Sequence, residues 1–250
     1  MGSKKCAMIL AAGLGTRLKE ITRHTPKALV EVGGEPMLKR VIDRLSAQGF
    51  DEIIINAFHL ADQIIDYINK GEWDVEIKIS DERPELLDTG GGIVKGAVTF
   101  EISRPLLIHN VDILSNADLK GLYAYHCENN LQGITLLMSE RESTRKLIFD
   151  KDNSLIGWHD LRSDEVRPAA LKRNENDKEY SFSGIYVVSA EAIKEMGEIM
   201  EKKNFGIMDY LLHERRRTRA IGMVVPDLQL IDIGKPATLL QAQNIFDKNS

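Results

Sequence analysis

Residues 6–18 read Cys6-Ala7-Met8-Ile9-Leu10-Ala11-Ala12-Gly13-Leu14-Gly15-Thr16-Arg17-Leu18. Its apolar run, 7–12, is continuous rather than alternating, which predicts a strand buried on both faces, as in a parallel sheet. The glycines that follow let the backbone approach a phosphate closely, with N–H groups to cradle its oxygens. A dinucleotide fingerprint would need a third glycine where Leu18 stands and an acidic residue ending the next strand, where Asn56 stands. A P-loop would need Gly-Lys-Ser/Thr, which is absent. The segment is therefore a phosphate loop of another class or a plain turn.

Outward from this loop, short apolar runs alternate with helical stripes. Pro36 opens a helix whose Leu38, Val41, Ile42 and Leu45 share one face and which closes at Gly49. Strands are predicted at 53–55, 75–79 and 106–108, and helices at 64–69 and 93–100. That alternation means βαβ units and a largely parallel sheet. The second half is less regular. Strands are expected at 133–138, 146–149 and 155–158, with a hairpin turn at Asp152-Asn153 and a polar surface loop over 162–179. Further strands are expected at 185–188, 223–225 and 230–231, and helices at 190–201, at 207–216 and from Pro236 onward. The expected fold is α/β: one domain with a mainly parallel mixed sheet and a more antiparallel second half.

The chain has 250 residues, 43% hydrophobic and 28% charged, which excludes disorder. Acidic residues (38) outnumber basic ones (33), so no basic face for nucleic acid is announced. Cys6 and Cys127 are too few and too far apart for a disulfide framework or a zinc site. No stretch reaches the roughly 18 apolar residues of a membrane span. A cytoplasmic protein is expected, without nucleic-acid or membrane partners.

Besides the glycine loop, three elements carry chemistry. Arg17 sits in the glycine loop and Lys27 in Thr25-Pro26-Lys27. Together they make a fork and a point charge for phosphate oxygens, against the plainer reading of two solvated cations. Asp112 follows the strand ending His109-Asn110, and Asp232 follows Leu230-Ile231. Carboxylates at strand ends suit Mg²⁺, which takes one or two protein ligands plus phosphates and water; either aspartate alone reads equally as a cap or turn former. In Asp88-Thr89-Gly90-Gly91-Gly92 the glycines precede a helix, so free N–H groups are expected to face a ligand. His109 is expected to pack rather than react, and the other histidines to lie at the surface.

Taken together, these motifs resemble the sugar-1-phosphate nucleotidyltransferase family. Leu10 through Leu18, Thr25-Pro26-Lys27, Asp88 through Gly92, Asn110-Val111-Asp112, Phe182-Ser183-Gly184-Ile185 and Ile231-Asp232-Ile233-Gly234 run in family order. The nearest branches are the short bacterial N-acetylmuramate-1-phosphate uridylyltransferases and the mannose-1-phosphate guanylyltransferase-like proteins. The resemblance implies a Rossmann-like three-layer sandwich of the nucleotide-diphospho-sugar transferase type. It also implies one domain over 1–250, with a nucleotide-binding half (1–112) and a sugar-phosphate-binding half (113–250). No fused β-helix is expected.

By the same resemblance, Ala11, Ala12, Gly13, Gly15, Thr16, Gly90 and Asn110 surround the nucleotide, and Glu82 reads the base edge, favouring UTP, GTP or dTTP. Arg17 and Lys27 hold the triphosphate and, with Asp112, act in catalysis. Asp112 and Asp232 hold Mg²⁺ (magnesium). Asp88, Gly91, Gly92, Ser183 and Gly184 line the sugar-phosphate site. The implied partners are a nucleoside triphosphate and a sugar-1-phosphate, for a monomer or small homo-oligomer. Alternatives are mannose- or heptose-1-phosphate guanylyl transfer and a catalytically inactive nucleotide sensor. Two departures stand out: Val111 replaces the usual Gly or Asp before the metal aspartate, and no Lys-Pro pair matches the family's sugar-contacting lysine.

Overall fold

The computed structural model describes residues 4–18 and 20–247, so both tips of the expected 1–250 domain lie outside the described residues. In chain order the elements are β1 (Cys6–Leu10), α1 (Glu20–His24), β2 (Glu31–Val32), β3 (Glu35–Pro36), α2 (Met37–Ala47), β4 (Glu52–Ala57), α3 (Ala61–Lys70) and β5 (Glu76–Asp81). Then come α4 (Asp88–Thr99), β6 (Leu106–Asn110), β7 (Ile113–Ser115), α5 (Leu119–Asn129), β8 (Ile134–Ser139), β9 (Arg145–Phe149) and β10 (Leu155–Asp160). The chain ends with β11 (Glu165–Arg167), β12 (Lys178–Val188), α6 (Ala190–Ile199), α7 (Ile207–Leu211), β13 (Ala220–Val224), β14 (Leu230–Asp232) and α8 (Pro236–Asp247).

The apolar run of β1 is buried at every position because parallel strands flank it on both sides, β4 on one and β6 on the other. Its side chains alternate between two cores. Ala7, Ile9 and Ala11 join Leu38 and Leu45 of α2, Ile64 of α3 and Leu122 of α5. Cys6, Met8 and Leu10 join Ile93 of α4, Met196 of α6 and Tyr210 of α7. Helices thus cover both faces of one sheet, and the three-layer sandwich follows. Beyond β6 the sheet turns mostly antiparallel: β12 pairs with β6, β8 and β9, the β9–β10–β11 meander extends one edge, and only β13 runs parallel, beside β8. The two halves of the chain therefore share one sheet.

A third apolar cluster does most to place the site. Leu18, Val32, Met37, Ile233 and Leu239 pack together, joining the glycine loop, the β2–β3 hairpin and α8. Among the described residues no helix is long and apolar enough to cross a membrane.

Several boundaries differ from the sequence reading. The helix predicted at 93–100 begins at Asp88, so all three glycines lie inside α4 rather than before it. The polar segment 162–179 contains β11, and β12 starts at Lys178 rather than at 185. The helices expected over 190–201 and 207–216 are shorter. The short α1 and β7 carry too few residues for a periodic signal, and α5 lacks a clean apolar stripe because its buried face, Leu119, Leu122, Tyr123 and His126, ends in a polar ring.

Candidate active site

The two aspartates meet because β7 and β14 pair antiparallel, setting Asp232 opposite Ile113, the residue after Asp112. The Ile233 amide also donates to the Asp112 carbonyl (3.0 Å). Each carboxylate faces a cation. Lys27, held at the start of a short 3-10 turn behind Pro26, pairs with Asp112 through side chains only 11% and 14% exposed. Arg17, on the turn anchored by buried Leu18, lies 3.7 Å from Asp232 and is half exposed. Gly234 shows how tightly these groups converge. A Cβ there would stand 2.6 Å from Arg17 Nη2, 2.7 Å from Asp232 Oδ1 and 2.8 Å from Lys27 Nζ. Two anions and two cations share this corner, and glycine makes the room.

Beside it lies a cleft of about 280 Å³ lined by Ala11, Ala12, Gly13, Lys27, Asn56, Leu86, Asp88, Thr89, Asn110, Val111 and Asp112. It opens at the carboxyl ends of β1 and β6, where parallel sheets bind ligands. Val111 is buried here and donates its amide to the Leu10 carbonyl (3.2 Å), so it closes the β1–β6 edge. A Cβ on Gly13 would meet nothing within 4 Å. Gly15 is different: its φ of +64° needs glycine, and its carbonyl accepts from Leu18 N and Thr22 Oγ1. Thr16 starts the Arg17 turn and is exposed.

The base-edge expectation for Glu82 is corrected by its contacts. The side chain is buried; Oε1 accepts from Asn56 Nδ2 (2.7 Å) and Oε2 from Leu87 N (3.0 Å). Asn56 Oδ1 in turn accepts from the Ala11 and Ala12 amides (2.6 and 3.3 Å). Glu82 is thus the anchor of a relay that sets the nucleotide loop. It lines not this cleft but a separate cavity of about 690 Å³ reaching Val94 of α4 and Met196 of α6. Burial pushes its pKa up, against the hydrogen bonds from Leu87 and Asn56. The carboxylate argument for UTP, GTP or dTTP therefore lapses. The Ala11 and Ala12 amides are also taken, so backbone recognition there falls to carbonyls and to Gly13.

The glycine cluster is corrected likewise. The Gly90 and Gly91 amides, expected to face a ligand, both donate to the Phe205 carbonyl (2.9 and 3.2 Å). A Cβ on Gly90 would stand 2.2 Å from the Phe205 ring, and one on Gly91 2.0 Å from the Lys203 carbonyl oxygen. One on Gly92 would stand 2.6 Å from Glu82 Oε1 and 2.8 Å from Asn56 Nδ2, so this glycine clears space for the relay. Asp88 stays at the cleft, in the left-handed region at φ 58°, which aspartate tolerates.

Ser183 turns inward: its buried Oγ exchanges hydrogen bonds with the Ile185 backbone. Gly184, at φ +77° within the irregular part of β12, lets Asn110 approach, a Cβ there falling 2.7 Å from Asn110 Nδ2. Both support the cleft wall rather than line it. Asn56, Leu86 and Thr89 were not anticipated at the cleft; Asn56 was visible only as a residue missing the expected charge.

His109 packs as expected. It is buried, Nδ1 meets the Asn110 carbonyl (2.8 Å), and burial lowers its pKa to about 4, leaving it neutral at pH 7. The surface expectation fails for His126, buried against Thr135 Oγ1, and for His159, held by Glu179 and Asp164.

The sequence pattern of the family described as Nucleotidyl transferase matches residues 6–248. An N-acetylmuramate alpha-1-phosphate uridylyltransferase of Neisseria meningitidis is 39% identical over 241 residues, covering 95% of this chain and 96% of that protein. The enzyme of the same name from Caulobacter vibrioides is 40% identical over 193 residues, 75% and 76% of the two chains. Among solved structures, HddC from Yersinia pseudotuberculosis complexed with GMP-PN superposes with a TM-score of 0.74 at 25% identity, covering 97% of this chain and 99% of that one.

Proposed function

Since the chain belongs to the nucleotidyl transferase family, we propose that it joins a sugar-1-phosphate to a nucleoside triphosphate, releasing pyrophosphate, with N-acetylmuramate 1-phosphate and UTP as the substrate pair. The fold is of the nucleotide-diphospho-sugar transferase type. The observation that carries the reading is the convergence of Arg17, Lys27, Asp112 and Asp232 beside the cleft. An inactive sensor would have no use for that set intact.

The attacking group is a phosphate oxygen already ionised at neutral pH, so no general base is required. The neutral His109 accords with that. Lys27 and Arg17 neutralise triphosphate oxygens, and Arg17 grips the departing pyrophosphate as its charge grows. The Ala11–Gly13 backbone, positioned through Asn56 and Glu82, orients the nucleoside so that the α-phosphorus lies in line with the attacking oxygen. Asp112 and Asp232 form a hard oxygen pair suited to Mg²⁺, which needs few protein ligands when phosphates complete its shell. The ion would supply further neutralisation of phosphate charge. On binding, the two cations would exchange their carboxylate partners for phosphates.

The direct test is pyrophosphate release across a grid of triphosphates and sugar-1-phosphates, with N-acetylmuramate 1-phosphate plus UTP expected to be fastest. Turnover with GTP and a heptose- or mannose-1-phosphate is the second reading, favoured by the likeness to HddC complexed with GMP-PN. No release anywhere in the grid would overturn both.

Two variants refine the roles. Arg17→Ala should lower kcat/KM by about 100-fold, and Arg17→Lys should recover only part, because a point charge cannot replace a fork. Full rescue by lysine in steady-state rates would make the contact purely electrostatic. Glu82→Gln leaves one oxygen to accept where two are needed, so either Asn56 or Leu87 loses its bond. The KM for triphosphate should rise about tenfold, the effect of one lost hydrogen bond, with the ranking of bases unchanged. A changed base ranking in the same grid would restore Glu82 to the base edge.

A further inference from the structure

The cavity of about 690 Å³ that Glu82 lines shares a wall with the cleft. Leu86, Asp88 and Thr89 line the cleft, while Glu82, Leu87 and Gly91 line the cavity. The cavity floor is apolar: α4 supplies Val94 and Val98, α6 supplies Met196 and Met200, and Leu87 and Phe205 complete it. The α4 stripe runs on uncovered, with Val98 70% exposed. Methionines suit a floor that must accept more than one shape. The rim is cationic. Arg83 is already paired with Asp81 and Asp62, and Glu201 lies 3.9 Å from Arg215. Among the described residues, no carboxylate lies within 4 Å of the ammonium of Lys95, Lys202 or Lys203. Against these three lysines the remaining exposed acid of the lining is Glu85.

An apolar floor under a cationic rim selects an amphiphilic anion. A bare phosphate gains nothing from the floor, and a neutral apolar molecule gains nothing from the rim. The volume is that of a small-molecule site. We propose that this cavity binds an anionic head group carried on an apolar body, an acyl chain or an aromatic ring system, and that its occupancy weakens triphosphate binding in the cleft. The coupling runs through contacts already in place. Phe205 N donates to the Leu87 carbonyl (3.1 Å), and Leu87 N donates to Glu82 Oε2 (3.0 Å). Glu82 Oε1 leads through Asn56 to the Ala11 and Ala12 amides. Lys95, whose Nζ donates to the Asp81 carbonyl, carries a charge that favours ionised Glu82 against the cost of its burial. An anion drawn to Lys95 cancels that support, and a protonated Glu82 keeps too few acceptors for its two donors. The nucleotide loop then loses its anchor. The coupling rests on the nucleotide reading of the cleft; the binding does not.

The test titrates the full chain with octanoate by calorimetry and with anilinonaphthalene sulfonate by fluorescence, with octanol as the uncharged control. Val98→Glu and Val98→Lys change one exposed helix position, and both residues form helix better than valine, so the fold is kept. Val98→Glu should weaken both anions by about tenfold and Val98→Lys should tighten them, the effect of one charge a few ångströms from the head group. Lys202→Gln with Lys203→Gln should weaken them likewise. Pyrophosphate release without probe should be unchanged in all these variants. Saturating octanoate should weaken UTP binding by about threefold or more, and bound UTP should weaken octanoate by the same factor. Binding of octanoate alone assigns an acyl anion, and of the sulfonate alone an aromatic one. Octanol binding as well as octanoate, or equal affinities in the two Val98 variants, would overturn the anion site. A UTP affinity unmoved by octanoate would overturn the coupling. If UTP does not bind wild type at all, the nucleotide reading fails, while the probe affinities still decide the site.

Discussion

Asp112→Asn is expected to abolish most pyrophosphate release, by about 1,000-fold at saturating Mg²⁺, the scale on which one electrostatic group acts in a preorganised site. The reason lies in its position. Asp112 is nearly buried, is paired with Lys27, and is tied to the β14 segment through its own backbone carbonyl. Asparagine keeps the shape and one acceptor for Lys27, so the chain should fold. It removes the negative charge that would hold the metal and leaves Lys27 without its counter-charge, a stability cost of about 1–3 kcal/mol. Asp232→Asn should act in the same direction, with a smaller stability cost because its partner Arg17 is half exposed and such pairs contribute about 0–1 kcal/mol. Circular dichroism melts alongside steady-state rates separate the two effects. A rate near wild type for Asp112→Asn would remove that residue from the chemistry.

Gly91→Ala should damage the fold rather than the chemistry. The new Cβ would fall 2.0 Å from the Lys203 backbone carbonyl, which cannot swing aside as a side chain could. Alanine's better helix propensity, worth about 1 kcal/mol, is outweighed by overpacking of roughly 3 kcal/mol against a backbone group that cannot yield. The expected result, for a net cost of about 2 kcal/mol, is a melting temperature lower by about 4–8 °C for a chain of this size. Gly13→Ala is the control: nothing lies within 4 Å, so its melt should be unchanged while triphosphate binding alone responds. A stable Gly91→Ala variant with weakened sugar-phosphate binding would instead support the ligand role that the sequence suggested for this glycine.

The contrast between these two glycines shows how far local sequence reaches. Gly13 follows a buried strand and opens onto a cleft, as its context implied. Gly90 and Gly91 carry the same signature, yet their amides belong to Phe205, a residue more than a hundred positions later. Glycine permits close approach; it does not say whether a phosphate or another stretch of protein approaches. Glu82 repeats the lesson, since its carboxylate meets Asn56 and Leu87 amides instead of a base.

The amino-acid sequence alone determined the parallel centre of the sheet, because strands buried on both faces carry continuous apolar runs and those within β1, β4 and β6 are legible wherever they occur. It also determined which cations and carboxylates stand at loop and strand ends, since those are local facts of spacing. Only the tertiary structure decided which of them meet. Asp112 and Asp232 are joined by the β7–β14 ladder, and Arg17 and Lys27 are drawn to them by the cluster of Leu18, Val32, Ile233 and Leu239. Hydrogen-bond donors and carboxylates accept a ligand or a distant backbone group with equal chemistry, and the packing of remote segments selects between them.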